Sequence, residues 1–139
     1  GTTRMVVAAS PAYLRRAGMP RHPRELVHHR CLRYGIVPTR EEWRFDGGDI
    51  VVPVDGPFIV DDGGVLKDLA LDGQGLIVVP DYMVANEVHH GSLTHVLDAF
   101  ALETLTIWAV LPAGRSASRR ARLLADFLSK HLHGVLPRL

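Results

Sequence analysis

The 139-residue sequence has a single cysteine, Cys31, so no internal disulfide framework is available to it. A reducing compartment, the cytoplasm, is the default for such a chain. It has no run of 18 apolar residues, so no segment reads as a transmembrane helix. The opening Gly1-Thr2-Thr3-Arg4 lacks the charged-then-apolar pattern of a secretion signal, and a start on Gly rather than Met reads as a fragment. Internal repeats and low-complexity stretches are missing too. What is present is ordinary: 47% hydrophobic and 22% charged residues, the balance of one globular domain rather than a disordered or collagen-like chain.

The net charge of +1 conceals a block pattern. Residues 1–45 hold nine arginines against three acids, residues 46–104 one lysine against eleven acids, and residues 105–139 five arginines and a lysine against one acid. A dedicated nucleic-acid binder gathers its positive charge on one face. A basic–acidic–basic chain fits two lobes of different character, or self-association in which acidic and basic surfaces meet.

Local signals alternate between strand and helix, which predicts an α/β class. Arg4–Ala9 reads as a mostly apolar strand. Ser10-Pro11 opens a helix over Ala12–Ala17, with serine as cap, proline in the first turn and Gly18 as stop. Pro23 begins a short helix over Arg24–His28, followed by a strand over Arg30–Tyr34. Trp43-Arg44-Phe45, the turn Asp46-Gly47-Gly48-Asp49 and Ile50–Val54 predict a hairpin, and Phe58–Val60 a further strand. Asp61 or Asp62 caps a helix whose stripe is Val65, Leu66, Leu69 and Ala70, ended by Gly73-Gln74-Gly75. The unbroken Leu76–Val79 run predicts a parallel strand covered on both faces. Asp81 then caps a helix over Tyr82–His89, closed by Gly91. Leu93–Leu97 and Leu105–Leu111 read as strands, and Ala117–Leu132 as the longest helix, with its stripe at Ala117, Ala121, Leu124, Leu128 and Leu132.

In this order the signals resemble the effector-binding domain of LysR-type transcriptional regulators. The resemblance rests on Ala9-Ser10-Pro11-Ala12-Tyr13-Leu14, Gly18-Met19-Pro20, Pro23-Arg24-Glu25-Leu26, His29-Arg30-Cys31-Leu32, Trp43-Arg44-Phe45, Val60-Asp61-Asp62, the stretch Ala70 to Pro80, Gly91-Ser92-Leu93, Val96-Leu97 and Leu123–Leu128. No single piece is specific; the ordered set is. It implies an α/β fold like type 2 periplasmic binding proteins: a two-lobed sensor domain, with lobe one only partly present. Residues 1–9 would be a crossing strand from lobe one, residues 10–100 lobe two, and residues 101–139 the second crossing strand and the return to lobe one. The helix-turn-helix domain and the first half of lobe one would lie outside this sequence. Residues 1–9 are too few to cover Leu105–Leu111 and Ala117–Leu132, whose large apolar side chains are each worth about 1.5–3 kcal/mol when buried. A symmetry partner, chain exchange or material outside the chain is therefore expected to cover them.

Ligands in open α/β sheets lie beyond the carboxyl ends of strands. Three places qualify. Ser10 is either a plain N-cap or the start of a helix whose N–H groups face an anion. Tyr34-Gly35-Ile36 follows a strand, where a tyrosine walls a small pocket or simply fills space; the resemblance places this loop in the effector cleft. Gly73 and Gly75 either let a ligand approach the backbone or end a helix. Asp61 and Asp62, adjacent at a strand end, point to opposite faces and read as a cap rather than a shared-proton dyad.

The clusters His28-His29, His89-His90 and His131-x-His133 lack a Cys or carboxylate at ligand spacing, so no metal and no cofactor is expected. Cys31 reads as a buried, inert thiol, although Arg30 and Arg33 leave a redox role open. Arg115, Arg119, Arg120 and Arg122 form a basic run that reads as a solvated helix face rather than a phosphate contact; the macrodipole disfavours cations at a helix start, a conflict that an acidic partner surface would relieve. No nucleophile–base pair or phosphate loop is visible, so no catalytic residue is assigned. The expected function is sensing of a small-molecule effector between two lobes, in a homo-oligomer that meets promoter DNA only through the absent N-terminal domain, with no membrane contact. The rival is a solute-binding protein of the same fold.

Overall fold

The computed structural model describes residues 1–35, 41–110 and 118–135, with side chains described up to residue 131. Strand β1 (Thr2–Ala9) is its axis. Along one side, β6 (Ile77–Pro80) pairs antiparallel with it, Val7 opposite Val78 and Ala8 opposite Ile77. Along the other, β7 (Thr94–Val96) takes the end of β1 and β8 (Thr104–Thr106) its beginning, both antiparallel. Beyond β6 the chain from Cys31 runs parallel to it, with Cys31 paired to Leu76. That segment leads into β2 (Arg33–Tyr34), parallel to β5 (Ile59–Val60). The predicted hairpin is β3 (Glu42–Phe45) against β4 (Ile50–Pro53).

Alternate residues of β1 feed two cores. Val7 and Ala9 join Tyr13, Leu26, Trp43, Phe45 and Val52 on one face. Val6 and Ala8 join Leu66, Ala70, Ile77, Val79 and Val84 on the other. This is why the Leu76–Val79 run is apolar throughout. The expectation of a parallel strand needs correction: the run is antiparallel to β1 and parallel only to the segment at Cys31. Continuous apolarity reports burial of both faces, not strand direction.

Helix α1 (Pro11–Ala17) follows its local code: Ser10 Oγ accepts the Tyr13 N–H at 3.3 Å, and Gly18, at φ +89°, returns its N–H to the Leu14 carbonyl at 2.9 Å. Pro23–His28 is a 3-10 helix. The motif tyrosine acquires a structural reason. Tyr13 is buried, its hydroxyl oxygen accepts the Arg30 N–H at 2.9 Å, and it lies 3.1 Å from His29 Nδ1, tying α1 to the strand after the 3-10 helix. Two glycines let that strand through. A Cβ on Gly56 would sit 2.1 Å from the Cys31 carbonyl oxygen, and one on Gly75 2.3 Å from that of Arg30, closer than any side chain fits.

Asp62, rather than Asp61, caps α2 (Gly63–Leu71), accepting the Val65 N–H at 2.9 Å. Val65 of the predicted stripe is exposed, whereas Leu66 and Ala70 are buried. The helix expected over Tyr82–His89 is instead a 3-10 turn, Asp81–Met83, followed by α3 (Ala85–His89). Asp81 caps neither; its side chain turns inward to charged partners described below. Of the strand expected over Leu105–Leu111, Thr104–Thr106 forms β8, and Ile107 and Gly1 exchange hydrogen bonds at 2.7 and 3.1 Å next to it. Leu111 lies outside the described residues. Helix α4 spans Arg119–Val135, with Ser118 Oγ accepting the Ala121 N–H. Its Leu123, Leu124, Phe127 and Leu128 are exposed, as are Ile107, Trp108 and Val110.

Candidate functional site

Strands β2, β5 and β6 run the same way, so their carboxyl ends share one edge of the sheet, the edge from which β1 starts. Tyr34 and Gly35 lie there. Tyr34 is half-buried against the second core beside Val60, and the Gly35 N–H donates to the Val60 carbonyl at 2.7 Å. A Cβ on Gly35 would press on Ile59 Cγ2 at 3.1 Å. Ile36 lies outside the described residues.

The same edge gathers four charged or titratable side chains. Asp81 ends β6 and its carboxylate is only 9% exposed. Arg4 Nε donates to Asp81 Oδ2 at 2.9 Å. His95 Nε2 lies 3.3 Å from Asp81 Oδ1, at ion-pair distance but without the alignment of a hydrogen bond. His95 Nδ1 lies 3.9 Å from Asp98 Oδ1. Beside them the chain leaves β1 between β7 and β8. A cavity of about 230 Å³ opens there, lined by Arg4, Asp98 and the apolar side chains of Val6, Val96, Leu97, Phe100 and Leu102 among others. Leu97 takes a left-handed backbone, φ +62°, which a non-glycine residue holds only where surrounding contacts impose it.

The other candidates lie elsewhere. Ser10 is buried as the α1 cap. A Cβ on Gly73 would stand 3.5 Å from Ser10 Oγ, and the Gly73 carbonyl accepts Arg16 Nη2 at 2.7 Å. Gly73 (φ +72°) and Gly75 complete this group. The register puts Gly75 one residue before the Cys31–Leu76 pair and Tyr34 three after it, so the two groups stand about 13 Å apart along the strands. Tyr34 and Gly35 therefore share an edge with Arg4, Asp81 and His95, while Ser10, Gly73 and Gly75 share the opposite one.

Cys31 is buried, and burial, reinforced by Asp55 and opposed by Arg33, pushes its thiol up to about 12. Such a thiol stays protonated and is a poor nucleophile. Among the described residues no group of three or more His, Cys, Asp or Glu is placed to hold a metal ion. His90 Nδ1 lies 2.7 Å from the Asn86 carbonyl of its own helix. Arg119, Arg120 and Arg122 are exposed on α4; Arg115 lies outside the described residues. No helix among the described residues is long and apolar enough to cross a membrane.

Comparison with known proteins decides the family. The profile of the LysR substrate binding domain matches residues 1–133. The chain belongs to the LysR substrate-binding domain family. Its fold is that of the regulatory domains of LysR-type regulators, like type 2 periplasmic binding proteins. It is similar to an HTH-type transcriptional regulator of Xanthomonas campestris pv. campestris, at 33% identity over 96% of this chain and 40% of that protein. It is also similar to the uncharacterized HTH-type transcriptional regulator YhjC of Escherichia coli, at 32% identity over 93% and 44%. Among solved structures, the regulatory domain of the LysR-type CrgA from Neisseria meningitidis matches with a TM-score of 0.78 at 28% identity, over 95% of this chain and 66% of that one. The full-length Vibrio cholerae virulence activator AphB matches with a TM-score of 0.80 at 25% identity, over 94% and 46%. The chain thus spans less than half the length of the curated LysR relatives it matches.

Sequence patterns do not single out Arg4, Asp81 or His95 as candidates: Arg4 sits in a mostly apolar strand, Asp81 reads as a helix cap, and His95 belongs to no histidine cluster. One signal was available: Asp81 directly follows an apolar run, at the strand end where α/β folds place ligands.

Proposed function

We propose that this chain is the effector-sensing part of a LysR-type regulator and binds a small molecule against the strand-end edge that carries Tyr34, Gly35, Arg4 and Asp81. One observation carries the reading: that edge holds a half-buried tyrosine and a buried carboxylate paired with Arg4, and Arg4 also lines a cavity where β1 and the chain returning through β8 lie side by side. In this reading residues 1–9 and the start of 101–139 are the crossing strands, residues 10–100 are lobe two, and the rest returns to lobe one. Effector binding changes the angle or packing of lobes and subunits in a cytoplasmic homo-oligomer, and a separate N-terminal domain carries that change to promoter DNA. A coupling of about 1–3 kcal/mol suffices for such control. The chain performs no catalysis in this scheme. Ser10, Gly73 and Gly75 keep structural roles at the opposite edge.

The test is a metabolite screen by thermal shift on the full-length protein. A ligand at 100 times its dissociation constant adds about 2.7 kcal/mol to stability. A hit abolished by Tyr34→Ala, with the fold intact by circular dichroism, supports the site. A hit unaffected by Tyr34→Ala removes Tyr34 from it, and a screen with no hit counts against effector binding.

A further inference from the structure

Resting on the effector-binding reading, we propose that the cavity beside Arg4 reads a carboxylate, and that the effector is a small acid that also carries a hydroxyl or amino group. Arg4 commits only one nitrogen within the protein. Its Nε is bound to Asp81 Oδ2 at 2.9 Å, and among the described residues its two terminal nitrogens have no partner. A guanidinium held at Nε presents its terminal pair as a planar fork, the shape that a carboxylate meets with two parallel hydrogen bonds. Asp81 cannot swing away to release Arg4. It is almost fully buried, and His95 stands against its other oxygen. The ordering cost of a long, flexible side chain is therefore met before any ligand arrives.

Charge narrows the class further. Arg4 and Asp81 cancel, which leaves Asp98, on the cavity wall and 60% exposed, as a carboxylate with no hydrogen-bonded cation among the described residues, His95 Nδ1 being 3.9 Å from it. A plain or doubly charged anion would sit near that carboxylate without compensation. A hydroxyl or ammonium group donates to it and removes the conflict. Between the two poles the wall is apolar, from Val6, Val96, Phe100 and Leu102. Size sets the rest: about 230 Å³ holds the equivalent of about seven waters, below the range typical of drug-sized ligands. A short branched α-amino or α-hydroxy acid has these features.

Calorimetric titration with four near-isosteric probes tests this: L-valine, 2-hydroxyisovalerate, isovalerate and L-valinamide. Valine and hydroxyisovalerate are expected to bind. Isovalerate, without the donor, and valinamide, without the carboxylate, are each expected to be weaker by about tenfold or more. Arg4→Lys keeps the pair with Asp81 but loses the fork, and is expected to weaken valine by about tenfold while leaving the melting curve intact. Asp98→Asn is expected to bring isovalerate up toward hydroxyisovalerate. Equal binding of valine and valinamide, or unchanged affinity in folded Arg4→Lys, overturns the carboxylate assignment. An unchanged ratio in Asp98→Asn overturns the assignment of the donor group. Failure of all four probes at about 10 mM, while the thermal-shift screen yields a hit lost in Tyr34→Ala, overturns this inference and leaves effector binding standing.

Discussion

Helices α2 and α4 carry the same kind of message and meet different fates. Each places large apolar side chains at helical spacing. In α2, Leu66 and Ala70 are sealed under the sheet, 1% and 0% exposed. In α4, Leu123, Leu124, Phe127 and Leu128 are 43–59% exposed. A stripe states what a helix needs; it does not supply the surface that meets the need. The covered body, built around β1, has its two cores from this chain alone. Ile107, Trp108 and Val110, like the stripe of α4, face solvent. Their cover is expected from a second copy or from sequence outside these residues.

The sharpest way to break this contrast is to make one substitution in both helices. Leu66→Ala removes a fully buried side chain and is expected to cost about 2–5 kcal/mol in chemical denaturation. Leu124→Ala in the isolated chain is expected to change stability by less than about 0.5 kcal/mol. A large loss at Leu124 would mean that α4 is covered in solution, and light scattering would show whether a second copy does it.

Within the covered body, Tyr13→Phe removes the acceptor of the Arg30 N–H, a part-buried hydrogen bond, and is expected to cost about 0.5–1.5 kcal/mol by the same assay. His29, whose Nδ1 faces that hydroxyl, makes the same junction sensitive to pH. Burial, aided by His28 and opposed by Glu25, lowers its pKa from the ordinary 6.5, so the unfolded chain binds the proton more tightly. The stability His29 preserves is present above pH 6.5 and is lost as pH falls from there through its folded value. Denaturation midpoints between about pH 7.5 and 5 should show this loss, and His29→Gln should flatten it. The smallest effect is expected at Lys67–Glu87, a partly exposed pair at 2.7 Å linking α2 to α3, which holds the Glu87 carboxyl below its usual range. Lys67→Ala should cost less than about 1 kcal/mol, and less still in high salt.

Much of the fold was legible because its signals are short-ranged. Ser10, Pro11 and Gly18 delimit α1 through groups a few residues away, and Asp46-Gly47-Gly48-Asp49 turns the hairpin by local backbone preference. The errors came where partners are remote. The direction of β6 depends on β1, some 70 residues earlier in the chain. The role of Asp81 depends on Arg4 and His95. The candidate site divides the same way. Strand-end position singles out Tyr34 and Gly35 as candidates, but no local pattern joins Arg4 to Asp81 across 77 residues.

The sequence by itself determined the α/β alternation, the ends of α1, the apolar faces and, through its ordered motifs, the family. Each depends on periodicity or on a side chain's preference for its own backbone, which the chain carries wherever it goes. Tertiary structure alone decided strand direction, which apolar stripes found cover, and the meeting of Arg4, Asp81, His95 and Asp98 at one edge of the sheet. Those outcomes depend on which distant segments share a surface, and the energies that choose among them exist only once the surfaces touch.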